Sequence, residues 1–112
     1  MKIIVEQTGT VTILRPQGDI RVGEGDVALR GTLKEQLEQG KNRIVLDLAA
    51  VRFLDSAGLG ELVASLKRVR EAQGDMKIAN VNQRVSDALH VTQLVRVLDI
   101  YKDVSEAIAA FV

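Results

Sequence analysis

The order of strand-like and helix-like segments along the chain is the sequence feature that most constrains its fold. Two short apolar segments, residues 3–6 and 11–14, are joined by a turn-length segment that contains Gly9, which predicts an antiparallel β-hairpin. After the hairpin, helical and strand patterns alternate, and right-handed crossovers between such elements produce parallel strands. We therefore expect a single α/β domain over residues 1–112, with a mixed sheet of about five strands packed against about four helices.

Apolar periodicity and end signals predict where these elements lie. Leu29, Leu33 and Leu37 recur at every fourth residue before Gly40, which predicts a first helix with a glycine at its C-terminal end. A second apolar stripe runs over residues 59–69 and predicts a helix that covers the sheet and stops at Gly74. The other predicted elements are a strand at 43–48 buried on both faces, strands at 76–79 and 97–101, a short helix capped by Asn82, and a last helix that begins with a capping-box-like pair, Asp103 and Glu106.

Composition narrows the classes of function. Fifteen basic and fifteen acidic residues cancel without long runs of one sign, and the aromatic residues are two Phe and one Tyr. Nucleic-acid binding, which needs a concentrated basic surface or stacking aromatics, is therefore not expected. The absence of Cys excludes disulfides and thiolate chemistry. The N-terminal segment has neither a signal peptide nor a membrane-spanning pattern, so we expect a cytoplasmic protein that does not bind membranes and uses no metal or other cofactor.

The junction at residues 51–60 is the candidate functional site. An apolar segment there leads into Asp55 and Ser56, and a helical pattern follows that contains Gly58 and Gly60. Each Gly in a helix costs roughly 0.5–1 kcal/mol relative to Ala, so the pair predicts that another backbone or surface comes close. Ser56 is expected to be exposed at the helix N-terminus, where free N–H groups and the helix dipole favour an added phosphate.

These residues carry a family resemblance. The apolar strand at 44–48, the sequence Asp-Ser-Ala-Gly-Leu-Gly at 55–60, and Gly74 followed by the segment 77–81 together resemble the STAS domain of bacterial anti-sigma factor antagonists. The resemblance covers nearly the whole chain. Its Asp-Ser-x-Gly-Leu-Gly signature is fairly specific because it follows an apolar strand and opens an amphipathic helix.

The resemblance implies a partner-switching protein. In the family, the unmodified antagonist binds an anti-sigma factor that is also a serine kinase of the histidine-kinase-like ATPase superfamily, and a sigma factor is thereby freed. That kinase phosphorylates the serine that matches Ser56, and a PP2C-like phosphatase removes the phosphate. The family also binds through the loop after its second strand, which maps to residues 18–21; where an acid is common, this chain has Arg21. The expected partner-binding residues are Asp19, Arg21, Asp55, Ser56, Ala57, Gly58 and Leu59.

The effect of a phosphate on Ser56 follows from charge alone. It adds about −1.5 to −2 charge beside Asp55, in a patch that otherwise presents small and apolar residues. A partner that buried this patch would have to desolvate the dianion. A penalty of ~3 kcal/mol weakens binding on the order of 100-fold, so phosphorylation is predicted to release the partner.

Other interpretations of the same residues stay open. Asp55 or Ser56 is also suited to be a helix N-cap, and the glycines to close helix–sheet packing. The chain is alternatively a STAS subunit that is not switched, in a stressosome-like or lipid-transport assembly. A catalytic site would require a pocket that gathers Asp19, Asp47, Asp55 and Ser56, and no enzymatic activity is expected. Asp47 is interpreted as a buried, hydrogen-bonded structural acid, and His90 as a surface or helix-capping residue.

Overall fold

A five-stranded mixed sheet forms the centre of the fold in the computed structural model, which describes residues 1–111. Its strands, in chain order and also in spatial order, are β1 (Lys2–Thr8), β2 (Val11–Gln17), β3 (Arg43–Asp47), β4 (Asp75–Ala79) and β5 (Asp99–Tyr101). β1 and β2 pair antiparallel, whereas β2 to β5 pair parallel. The predicted hairpin and parallel crossovers are confirmed.

Helices cover both faces of the sheet. They are α1 (Gly25–Glu38), α2 (Ser56–Glu71), α3 (Gln83–Val91) and α4 (Val104–Ala109). The larger apolar core joins one face to α1, α2 and α3, and the smaller core joins the other face to α4. In β3, Ile44 and Leu46 belong to the larger core and Val45 to the smaller one, which explains why this strand is a nearly continuous apolar run.

The helix ends follow the local sequence signals. Asp55, Asn82 and Asp103 are N-caps of α2, α3 and α4, and each side chain accepts a hydrogen bond of 2.8 Å from the amide three residues later. Gly40 follows α1 with φ +78°, and its amide donates to the carbonyl of Leu37. This is the left-handed position at which a glycine ends a helix most easily.

Two predicted boundaries are wrong. Residues 94–96 form a 3₁₀ turn and Val97 donates to the carbonyl of Leu94, so β5 begins at Asp99 and not at Val97. Helix α2 ends at Glu71, before Gly74, and Gln73 takes the left-handed conformation with φ +64°. Gly74 is needed for a different reason, since a Cβ there would lie 2.0 Å from the carbonyl oxygen of Asn42.

Candidate functional site

The predicted junction lies where the loop after β2 meets the N-terminus of α2. Ile20 and Leu54 form a parallel β-bridge. The Ile20 amide donates to the Phe53 carbonyl at 3.1 Å, and the Asp55 amide donates to the Ile20 carbonyl at 3.3 Å. The fold therefore places the two sequence segments that were predicted to bind a partner, 18–21 and 55–59, side by side.

The carboxylate of Asp55 ties the loop to the helix. Its Oδ1 accepts from the Gly58 amide at 2.8 Å within α2, and its Oδ2 accepts from the Val22 amide at 2.9 Å across the junction. The Val22 and Gly58 amides, with smaller contributions from the Ala57 amide and the charge of Arg21, lower the pKa of Asp55 below its ordinary value. Asp55 is therefore ionised at neutral pH, and both its oxygens are engaged.

Ser56 is the first residue of α2 and its side chain is exposed, as predicted. Because Asp55 caps the helix, the Ser56 hydroxyl is free of that role, and it makes no hydrogen bond within residues 1–111. Ser56 lies in the first turn of α2, where the Gly58 amide donates to the capping carboxylate of Asp55 and not to a helix carbonyl. An enzyme can reach the Ser56 hydroxyl oxygen, and its modification would break no hydrogen bond among those residues.

The two glycines of the junction differ in their surroundings. A Cβ on Gly58 would lie 2.3 Å from the carbonyl oxygen of Ile20, so the predicted close approach of another backbone is confirmed there. Gly60 is exposed, and a Cβ there would meet nothing within 4 Å in the described chain. The close approach predicted from the pair therefore holds, within residues 1–111, for Gly58 alone. Gly58 itself is buried and allows the Ile20 backbone to pack against α2. Its neighbours Ala57 and Leu59 are half-buried.

Two arginines lie over the same aromatic ring at the edge of the junction. The Arg21 guanidinium carbon is 4.5 Å from the centre of the Phe53 ring, and that of Arg84 is 4.7 Å from it. Arg21 also forms an ion pair with Asp19 Oδ2 at 3.4 Å. Arg84 was not predicted as a site residue. It belongs to α3, 31 positions after Phe53 along the chain, and no local pattern connects the two.

The other conspicuous acids are satisfied inside the fold. Asp47 accepts from Arg15 Nε, the Ala49 amide and Asn80 Nδ2, each at 3.0 Å, which confirms its interpretation as a hydrogen-bonded structural residue. Glu61, which sequence analysis did not single out, is buried in α2. Its carboxylate is paired with two arginines from α1 and α2. His90 is exposed near the end of α3, with Nδ1 2.8 Å from a carbonyl oxygen of the same helix.

The described residues also bear on metal binding and on membrane insertion. In residues 1–111, no group of three or more His, Asp or Glu residues is placed to hold a metal ion. Over the same residues, no helix combines the length and the apolar character that crossing a membrane requires.

Comparison with known proteins identifies the family. A sequence model of the STAS domain matches residues 2–107. A Thermotoga neapolitana protein provisionally named an anti-sigma factor antagonist is 34% identical over 98 residues, which are 88% of this chain and 87% of that protein. The anti-sigma-B factor antagonist of Bacillus subtilis is 33% identical over 97 residues, 80% of this chain and 88% of that protein.

Solved structures agree with this assignment. The crystal structure of a Thermotoga maritima protein, also provisionally named an anti-sigma factor antagonist, has a TM-score of 0.89 at 29% identity and covers 96% of this chain and 92% of its own. The resemblance found in the sequence and the expected mixed-sheet fold are both confirmed. This chain belongs to the STAS domain family, and its similarity to relatives named anti-sigma factor antagonists extends over most of its length.

Proposed function

We propose that this chain is an anti-sigma factor antagonist that is switched by phosphorylation of Ser56. The unmodified form binds an anti-sigma factor and frees a sigma factor. The anti-sigma factor is also a serine kinase of the histidine-kinase-like ATPase superfamily, which transfers the γ-phosphoryl group of ATP to Ser56 Oγ with release of ADP and a proton. A PP2C-like phosphatase hydrolyses the phosphoester. The chain itself acts as a binding module in the cytoplasm and not as an enzyme.

The observation that carries this proposal is the division of roles between Asp55 and Ser56. Asp55 caps α2 and ties the loop after β2 to it, whereas Ser56 beside it is exposed and has no structural hydrogen bond within residues 1–111. A phosphate on Ser56 would sit at a helix N-terminus, where a negative charge is tolerated. The fold can therefore accept the modification, and its effect falls on whatever binds this surface.

The expected effect on a partner is electrostatic. The contact surface around Ser56 includes the half-buried, uncharged residues Ala57 and Leu59, and a tightly fitting partner would exclude water there. A dianionic phosphate that loses its water without a matching cation weakens binding by ~3 kcal/mol, or on the order of 100-fold. The unmodified and modified forms thus differ mainly in affinity and not in fold.

Phosphoryl transfer and binding can be tested together. The purified chain is incubated with each histidine-kinase-like anti-sigma factor of its source organism, ATP and Mg²⁺, and the product is analysed by intact-mass spectrometry and site mapping. We expect one phosphate, on Ser56, which is lost in Ser56→Ala and retained in Ser105→Ala. Ser105 is a matched control because it is exposed in the first turn of α4, which packs on the opposite face of the sheet.

Affinity measurements complete the test. Ser56→Ala should bind the anti-sigma factor as the wild type does, and the phosphorylated protein should bind about 100-fold more weakly. The Ser56→Asp variant should also bind more weakly, by a smaller factor because its added charge is smaller. Similar affinities for all forms would contradict the electrostatic account, and a phosphate on another residue would contradict the site.

A STAS subunit without a switch is the second candidate. An apolar groove of about 440 Å³ along α2, lined by Val63, Leu66 and Val97 among others, is the kind of surface that a permanent neighbour covers. Such a subunit, in a stressosome-like or lipid-transport assembly, would carry no phosphate on Ser56 when purified from its native cells. Its affinity for its neighbours would also be unchanged by Ser56→Asp.

A further inference from the structure

Two positive charges lie over the ring of Phe53, three residues before Ser56. The guanidinium groups of Arg21 and Arg84 lie 4.5 Å and 4.7 Å from the centre of the Phe53 ring, within the range of cation–π attraction. Phe53 is itself held, because its carbonyl accepts from the Ile20 amide in the bridge between the loop and the junction. The two cations and the ring define a surface that we call the arginine pair.

A second set of hydrogen bonds fixes α3 against the same segment. The Asn82 side chain caps α3 through Val85 and donates from Nδ2 to the carbonyls of Val51 at 3.3 Å and Arg52 at 3.4 Å. Arg84 follows Asn82 by two residues, so its backbone position relative to Phe53 is determined by the fold. The backbone that carries Arg84 is therefore ordered before a ligand binds, which lowers the entropy cost of binding.

The charges of the arginine pair are only partly neutralised within residues 1–111. Arg84 is exposed and forms no ion pair with any carboxylate of residues 1–111. Arg21 has 54% of its side chain exposed and shares one long contact, 3.4 Å, with Asp19. Asp55, the other nearby acid, uses both oxygens to accept backbone N–H groups. The exposed guanidinium groups of Arg21 and Arg84 thus form a surface suited to bind carboxylates.

We infer that the partner bound at Ser56 presents acidic side chains to the arginine pair, and that this contact determines which partner is chosen. The inference rests on the proposed function and adds the chemistry of the partner to it. Guanidinium groups bind carboxylates through paired hydrogen bonds, and charge complementarity across an interface excludes partners of the wrong sign. Arg21 and Arg84 are specificity-determining residues in this scheme.

The same arrangement explains how a phosphate on Ser56 would act. An acidic partner surface brought to the arginine pair lies next to α2, whose first residue would then carry about −2 charge. The phosphate repels the partner's carboxylates and competes with them for the guanidinium groups. Release then does not require that the partner lack cations of its own; it requires only that its contact surface be acidic.

The test uses the anti-sigma factor that phosphorylates the chain in the transfer assay as its probe. Dissociation constants are measured by calorimetry for the wild type, for the double variant Arg21→Glu/Arg84→Glu, and for Arg43→Glu. Arg43 is a control because it is exposed at the opposite end of β3 and bonds there to Thr10. We expect the double variant to lose about 100-fold in affinity, about tenfold for each reversed arginine, and Arg43→Glu to lose none.

Salt dependence gives a second measurement. Raising the ionic strength should weaken binding of the wild type and of Arg43→Glu, and it should weaken the double variant much less, because screening acts on the contacts that the variant lacks. A neutral variant, Arg21→Gln/Arg84→Gln, is measured in parallel. If the charge-reversed variant is less stable than the wild type, as a lower urea midpoint would show, the affinity of the neutral variant is the one compared with the wild type. The neutral variant should lose affinity by a smaller factor in the same direction.

The outcomes separate this inference from the proposed function. If Ser56 phosphorylation releases the anti-sigma factor but both double variants bind as tightly as Arg43→Glu, the acidic contact is refuted and the switch stands. If no anti-sigma factor binds or phosphorylates the wild type, the proposed function fails and the inference falls with it. Binding of a single-stranded oligonucleotide through the arginine pair, in place of the anti-sigma factor, would overturn the inference as well.

Discussion

Replacing Gly58 by Ala should destabilise the protein, although Ala is the better helix former. The added Cβ would lie 2.3 Å from the carbonyl oxygen of Ile20 and 3.2 Å from both its carbonyl carbon and Leu54 Cδ2. The nearest atom belongs to the backbone, so no rotamer change can remove the contact. Either α2 or the loop after β2 must move, and the hydrogen bond from the Asp55 amide to the Ile20 carbonyl lies in between.

The magnitude follows from three opposing contributions. Forced overpacking costs about 3 kcal/mol at the upper end of the usual range, which suits a contact with backbone. Loss of the Asp55–Ile20 hydrogen bond adds about 1 kcal/mol, and the helix propensity of Ala returns up to about 1 kcal/mol. The net expectation is a decrease of about 3 kcal/mol in the free energy of unfolding.

Urea denaturation measures this value, and Gly60→Ala is the matched control. A Cβ at Gly60 meets nothing within 4 Å in the described chain, so the same substitution two residues later should raise the free energy of unfolding by about 0.5–1 kcal/mol. The m-value should be unchanged in both variants, because the surface exposed on unfolding is the same. If Gly58→Ala were as stable as Gly60→Ala, the close packing of Ile20 against α2 would be refuted.

Three further predictions concern the acids of the fold. Asp47→Ala should lower the free energy of unfolding by about 2–3 kcal/mol in urea titrations, because Arg15 and Asn80 lose a charged acceptor; an unchanged midpoint would contradict this. The pKa of Asp55 is lower in the folded state than its ordinary value of 3.8, so its carboxylate stabilises the fold fully above that value, and this stabilisation is lost as the pH falls through the folded-state pKa. The difference in free energy of unfolding between wild type and Asp55→Asn should therefore shrink below about pH 4. A difference that does not change with pH would refute the two amide contacts. Glu61→Ala should cost about 2 kcal/mol by thermal unfolding, because the charged hydrogen bonds from Arg30 of α1 and from Arg68 of α2 itself are lost, whereas Glu61→Gln should cost less.

The sequence predicts well those features that depend on neighbouring residues. The caps at Asn82 and Asp103 and the glycine after α1 are set by residues within three or four positions, and these predictions are confirmed. The sequence left a cap at Asp55 or Ser56 open, and the structure gives that cap to Asp55. The strand at β3 is equally clear, because both its faces are buried and its apolar run is continuous. Ser56, the first residue of α2, is exposed, as its predicted place at the helix N-terminus suggested.

Features that depend on contacts across the fold are predicted less well. The two glycines of the junction have similar local contexts, and only the position of Ile20, 38 residues before Gly58, distinguishes them. The 3₁₀ turn before β5 interrupts a segment whose apolar residues fit a strand, and its geometry includes Gln93 with φ +65°. Arg84 reaches the site because the order of the strands places the start of α3 beside the segment after β3. The residues around Arg84 in the sequence give no sign of this neighbour.

The connections that build the site would allow the proposed switch to act without refolding. The Ile20–Leu54 bridge, the Asp55–Val22 hydrogen bond and the Asn82 contacts each join segments about thirty or more positions apart, and all end in backbone groups. Ser56 belongs to none of them. A charge added to its hydroxyl would therefore change the electrostatic potential at the surface while the supporting contacts persist. In the proposed scheme, a partner would respond to that charge through repulsion and through competition at the arginine pair. A hydroxyl that itself capped the helix could not be esterified without loss of that contact. Because Asp55 is the cap, a phosphate on Ser56, as proposed, would cost no capping hydrogen bond.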